Sequence, residues 1–119
     1  MRVVANAVDL DPILPDATLC VSHAGPGLAA RALVAGIPMA LLPMQLEQFL
    51  VARRLADGGS AASISPEDPA PDFKSWIAGL LERDDLRSAA RERALAHRGY
   101  SFTDAARRAA RRIAEIAGA

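Results

Sequence analysis

Short apolar runs alternate with helical patterns through the first half of the chain. Arg2 to Ala5 is a brief β-rich run, Thr18 to Ser22 a second, and Met39 to Leu42, closed off by Pro38 and Pro43, a third. Runs this short and almost wholly apolar suit strands of a parallel sheet covered on both faces. Between them, Leu28 to Ala35 consists of strong helix formers and stops at Gly36 and Pro38. Gln45 to Asp57 predicts a longer helix with Leu46, Phe49, Leu50 and Leu55 on its apolar face, ended by Gly58 and Gly59. Ala61 to Ile64 is a candidate fourth strand. Strand and helix in alternation imply right-handed βαβ crossovers, and so an α/β, doubly wound half-domain.

The second half changes character. Pro66 to Pro71 is a loop leading into a helical tail, in which Phe73, Trp76, Ile77, Leu80 and Leu81 recur at helical spacing. Asp84 and Asp85 break that pattern and cap a helix from Leu86 to His97. Gly99 ends it, Thr103 is a good cap, and Asp104 to Ala117 predicts a final amphipathic helix. Its apolar stripe is Ala106, Ala109, Ala110, Ile113 and Ile116, with Arg107, Arg108, Arg111 and Arg112 mostly on the other side. The 119 residues thus read as one partial domain, with an α/β part at 1–65 and a helical tail at 66–119.

Composition narrows the function classes. The 14 basic and 14 acidic side chains balance, which argues against binding nucleic acid through bulk positive charge. Residues 1–81 carry 5 basic and 8 acidic groups, and 82–119 carry 9 and 6. A single cysteine, Cys20, cannot build an internal disulfide framework, so a reduced, cytoplasmic setting is the expectation. No apolar run approaches the ~18 residues of a membrane span, and no signal-like core follows Met1-Arg2. No His/Cys group has metal-ligand spacing, so neither a metal nor a cofactor is expected.

The residues able to carry chemistry lie between 21 and 49. A strand ending at Ser22 is followed by His23-Ala24-Gly25-Pro26-Gly27, which opens a helix. Gly25 and Gly27 let backbone N–H groups come close to an anion, and a helix N-terminus adds partial positive charge. His23, at the carboxyl end of the strand, can donate to a phosphate oxygen, and that edge of a parallel sheet is where such folds bind ligands. Pro43 to Gln48 again leaves a strand and opens a helix. Glu47 and Gln48 there offer a carboxylate and an amide suited to vicinal sugar hydroxyls. Each element alone also fits a plain strand-to-helix turn, with Glu47 merely complementing the helix dipole.

Taken together, His23-x-Gly25, Gly36-x-Pro38, Pro43 and Glu47-Gln48, with Leu14-Pro15-x-Ala17 ahead of them, resemble the nucleotide-sugar-binding segment of GT-B glycosyltransferases that use UDP- or TDP-sugars. The resemblance extends over nearly the whole chain. It implies a Rossmann-like parallel sheet of a GT-B C-terminal domain, incomplete at its N-terminus. His23, Gly25, Gly27, Leu28 and Ala29 would cradle the nucleotide diphosphate, and Glu47 and Gln48 would hold donor-sugar hydroxyls. The implied partners are a nucleoside diphosphate sugar and the N-terminal GT-B domain, which would carry the acceptor pocket and the catalytic base. No catalytic residue is assigned to this chain.

Some positions depart from the family pattern. Leu28 and Ala29 stand where it has hydroxyl residues, so the phosphate would rest on backbone N–H groups. Arg31 replaces the glutamate that grips the ribose, and Ala7, Asp9 and Leu10 replace the base platform. The resemblance also implies that the last helix once docked on the other domain. A sheet lacking its first strand and a helix lacking its cover imply a homodimer. Two other readings stay open: a non-catalytic remnant or partner subunit of a glycosyltransferase, and an unrelated α/β signalling module.

Overall fold

Met39, Ala40 and Leu41 are completely buried, and the fold is arranged around them. In the computed structural model, which describes residues 1–118, these three residues form β2, the central strand of a three-stranded parallel sheet. β1 (Cys20–Ser22) lies on one side, with Cys20 opposite Met39 and Ser22 opposite Leu41. β3 (Ala61–Ser63) lies on the other, with Ala61 opposite Met39 and Ser63 opposite Leu41. The crossovers are α1 (Pro26–Ala35) and α2 (Leu46–Asp57). α3 (Phe73–Leu81), α4 (Asp84–Ala96) and α5 (Phe102–Ile116) follow.

Side chains of a strand alternate between faces, and β2 divides the core accordingly. Met39 and Leu41 meet Ala29 and Ala32 of α1, Ala52 of α2 and Ala61 of β3. Ala40 points the other way, onto Leu80 of α3 and Leu86 of α4, with Trp76 and Ile77 packed alongside. The sheet is therefore covered on both faces, which is why its strands read as unbroken apolar runs.

Several sequence expectations shift. Arg2–Ala5 is not a strand but exposed coil. β propensity alone does not make a strand, because its backbone groups need a neighbouring ladder, and none of the three strands pairs with this segment. The buried face of α2 is also rotated from the expected one. Gln48 and Ala52 are buried, with Val51 and Leu55 packed beside them, while Leu46 is 77% and Leu50 57% exposed. Alanines at 29, 32 and 52 let both helices approach the sheet closely, so the small residues and not the large ones mark the inner face.

Caps move by a residue or two. α4 begins at Asp84 with Arg83 as its N-cap, so Asp84 and Asp85 lie inside the first turn, where their charge suits the helix dipole. At α5 the cap is Ser101 and not Thr103, its hydroxyl accepting the Asp104 N–H at 3.2 Å. Asp72 caps α3, accepting from the Lys74 N–H and the Ser75 hydroxyl, which holds its carboxyl below the usual carboxylate range. Cys20 is half-buried, and burial raises its thiol pKa. Within the described residues no helix is long and apolar enough to cross a membrane.

Candidate functional site

Parallel pairing sets the site. Because Ser22 is registered with Leu41, and the Leu42 N–H donates to the Ser22 carbonyl at 2.8 Å, the loops after β1 and β2 leave the same edge side by side. Neighbouring strands are ~4.8 Å apart, so His23–Gly27 and Leu42–Gln45 stand next to each other at the carboxyl edge.

The first loop is held in an unusual conformation. Ala24 is fully buried and has φ +66°, a left-handed backbone that costs a non-glycine residue roughly 1–2 kcal/mol. Its N–H donates to the Ser22 hydroxyl at 3.2 Å, and its methyl is locked into the α1–α2 side of the core. That strained turn directs the chain into α1, and it was not read from the sequence because alanine carries no turn signal. Such strain is characteristic of ligand-holding loops.

What the turn presents is a set of backbone donors. α1 starts at Pro26, and its N-cap Gly25 supplies no side-chain cap. Pro26 has no N–H. The Ala29 N–H is already given to the Gly25 carbonyl at 3.0 Å. Gly27 and Leu28 are the first-turn N–H groups with no acceptor among the described residues, aimed out of the helix at its positive end. The exposed His23 imidazole lies over the loop, its Nε2 3.5 Å from where a Cβ on Gly25 would stand. Ala29, expected among the phosphate contacts, is 3% exposed and faces the core.

After the second loop Glu47 is exposed in the first turn of α2. Gln48 is buried, and its side-chain oxygen accepts the Met44 N–H at 2.8 Å. Half of its amide is thus engaged in shaping the loop. Met44, Leu46 and Leu50 stand exposed around Glu47, giving this edge an apolar rim.

Arg31 does not turn toward this edge. It pairs with Asp11, and its guanidinium lies 5.2 Å from the centre of the Phe102 ring. It therefore fastens the N-terminal segment and the start of α5 to α1. A cavity of about 620 Å³ lies at the amino edge of the sheet beside Gly36, Ile37 and Pro38. We place the candidate site at the carboxyl edge regardless, because the unpaired donors and the strained turn are there.

No family model matches the chain. It is 33% identical over 93 residues to a Lacticaseibacillus casei UDP-N-acetylglucosamine–N-acetylmuramyl-(pentapeptide) pyrophosphoryl-undecaprenol N-acetylglucosamine transferase, covering 75% of this chain and 26% of that protein. To the glycosyltransferase GtfC of Amycolatopsis orientalis it is 32% identical over 106 residues, covering 89% of this chain and 25% of the relative. Among solved structures, the glycosyltransferase VinC in complex with DTDP superposes with a TM-score of 0.71 at 26% identity, over 78% of this chain and 24% of that one. The chain therefore spans about a quarter of the length of the proteins it matches.

Proposed function

On the premise that this chain is homologous to a part of the GT-B glycosyltransferases, we propose that it is their donor-binding portion, taking a UDP- or TDP-sugar by its diphosphate. One observation carries this reading: the N–H groups of Gly27 and Leu28, unpaired at a helix N-terminus, with His23 over the same loop. The nucleotide in the VinC complex supports it. Glu47 and the amide nitrogen of Gln48 are the groups left to meet sugar hydroxyls. Both lie one strand away from the diphosphate loop.

The chemistry stops at binding. No residue along this edge is placed to deprotonate an acceptor hydroxyl, because His23 is part of the diphosphate loop and Glu47 faces the sugar. In this reading the base and acceptor pocket come from an N-terminal GT-B domain, which closes over the apolar rim of Met44, Leu46 and Leu50. A second copy of the chain is the other candidate for the exposed β1 edge and α5. Light scattering over a concentration series separates the two, since a strictly monomeric mass contradicts the homodimer.

Arg31 favours a second reading. Its engagement with Asp11 and Phe102 leaves a cation where the family pattern has a ribose-gripping carboxylate, as suits a non-catalytic remnant or partner subunit. Calorimetry with TDP, UDP, pyrophosphate and thymidine discriminates. Donor binding led by the diphosphate predicts similar affinities for the first three and none for thymidine. Absence of binding by all four contradicts the donor reading and leaves the remnant.

A further inference from the structure

The layer of helices holds a cavity that the donor reading does not use. It measures about 500 Å³ and opens between α1, α2 and α4, within the range of small-molecule sites. Its walls are apolar: Ala29 and Leu33 of α1, Val51 and Leu55 of α2. Its rim carries two cations, Arg54 and Arg93, with the imidazole of His97 beside them.

Three details give that rim direction. Arg93 lays its guanidinium across Gly58, at 2.8 Å from where a Cβ would be, so a side chain at 58 would push it from its place over the mouth. His97 is one turn along α4 and donates Nδ1–H to the Arg93 carbonyl at 2.8 Å, leaving Nε2 for the opening. Among the described residues no carboxylate lines the cavity, and neither Arg54 nor Arg93 has an ion-pair partner. By contrast, Arg87 of the same helix pairs with Asp84, and Arg83 just ahead of it with Asp85. The carbonyls nearest the rim are occupied as well, that of Arg54 by the Gly58 N–H and that of Arg93 by His97.

We propose that this cavity binds an anionic amphiphile, with an aliphatic body against the alanine, leucine and valine walls and a carboxylate or phosphate head between Arg54 and Arg93. Charge complementarity selects the head, since two unpaired guanidiniums favour a planar or tetrahedral oxyanion over a neutral group. The apolar walls select the body and disfavour a bare ion, which would leave them unfilled. The lining reaches Pro26 at the start of α1, beside the diphosphate loop, but the head-binding groups come from α2 and α4, so the proposal does not depend on a sugar nucleotide.

Calorimetry on the full chain tests this with sodium decanoate, decyl phosphate, decanol as the neutral match and inorganic phosphate as the head alone. Decanoate or decyl phosphate should bind at least tenfold more tightly than decanol, and inorganic phosphate should give no heat. The stronger of the two charged ligands identifies the head. In the double variant Arg54→Gln, Arg93→Gln the advantage over decanol should fall to within about twofold. Both side chains are exposed, so the melting temperature serves as a check that folding is intact. The proposal is overturned if decanol matches the charged ligands, if phosphate alone binds as well as they do, if the double variant keeps the advantage, or if no amphiphile binds.

Discussion

Gly27 occupies the second position of α1, with nothing within 4 Å of where its Cβ would stand. Gly27→Ala should therefore stabilise the free chain by about 0.5–1 kcal/mol, since a helix favours alanine over glycine. Helical Cβ atoms lean toward the N-terminus, so the added methyl would enter the space assigned to the diphosphate. Melting temperature should rise while TDP affinity falls several-fold. An affinity that is unchanged places the diphosphate elsewhere. Gln48 behaves differently. Gln48→Leu removes the acceptor of the Met44 N–H and should cost about 1–3 kcal/mol in urea unfolding without any ligand, whereas a surface amide would cost nearly nothing. The sequence offered Gln48 as a sugar ligand because an amide beside a carboxylate has that chemistry. It could not show that the side chain folds back on its own loop. Arg31 was equally opaque, since its partners Asp11 and Phe102 lie twenty residues before it and seventy-one after it.

Among the elements, α1 and α4 meet at Gly36. Its φ of +74° ends α1 in a left-handed cap, and a Cβ there would press to 3.1 Å from the Ala94 Cβ. Gly36→Ala should lose roughly 1–2 kcal/mol from the left-handed backbone, with the crowding against α4 added. Chemical denaturation measures it, and a loss under about 0.5 kcal/mol would mean that the junction relaxes freely. This cap was legible, because a glycine followed by Ile-Pro punctuates a helix wherever it falls. The strands beginning at Cys20, Met39 and Ala61 were legible for a related reason, each being apolar and bounded by turn residues. Arg2–Ala5 has the same local signature and is coil, because pairing depends on a neighbour that local sequence does not encode. The face of α2 was misjudged because hydrophobicity counts leucines. Close approach selects alanines.

At the scale of the whole molecule, the radius of gyration is 16.2 Å, against about 13.5 Å for a compact chain of this length. The long axis of 55 Å reflects parts that add little to the core. The N-terminal residues are exposed, and α5 has no buried residue and leaves Ile113 67% exposed. Phe102, beneath Arg31 and edge-on to Tyr100, is its anchor. Truncation after Tyr100 should therefore leave the circular dichroism of the remaining helices intact and shift the melting temperature by only a few degrees. Collapse of the α/β part would show that α5 supports it. The apolar stripe on α5 was predictable from its periodicity, but its lack of cover was visible only in three dimensions. In the proposed function the carboxyl edge holds a nucleoside diphosphate through the loop after β1. An amide-resolved NMR titration of the full chain with TDP tests it most directly. The largest shifts are expected at Gly25, Gly27 and Leu28, smaller ones at Glu47, and none around Gly36 at the opposite edge. Shifts centred on the amino-edge cavity, or none at millimolar TDP, would contradict it.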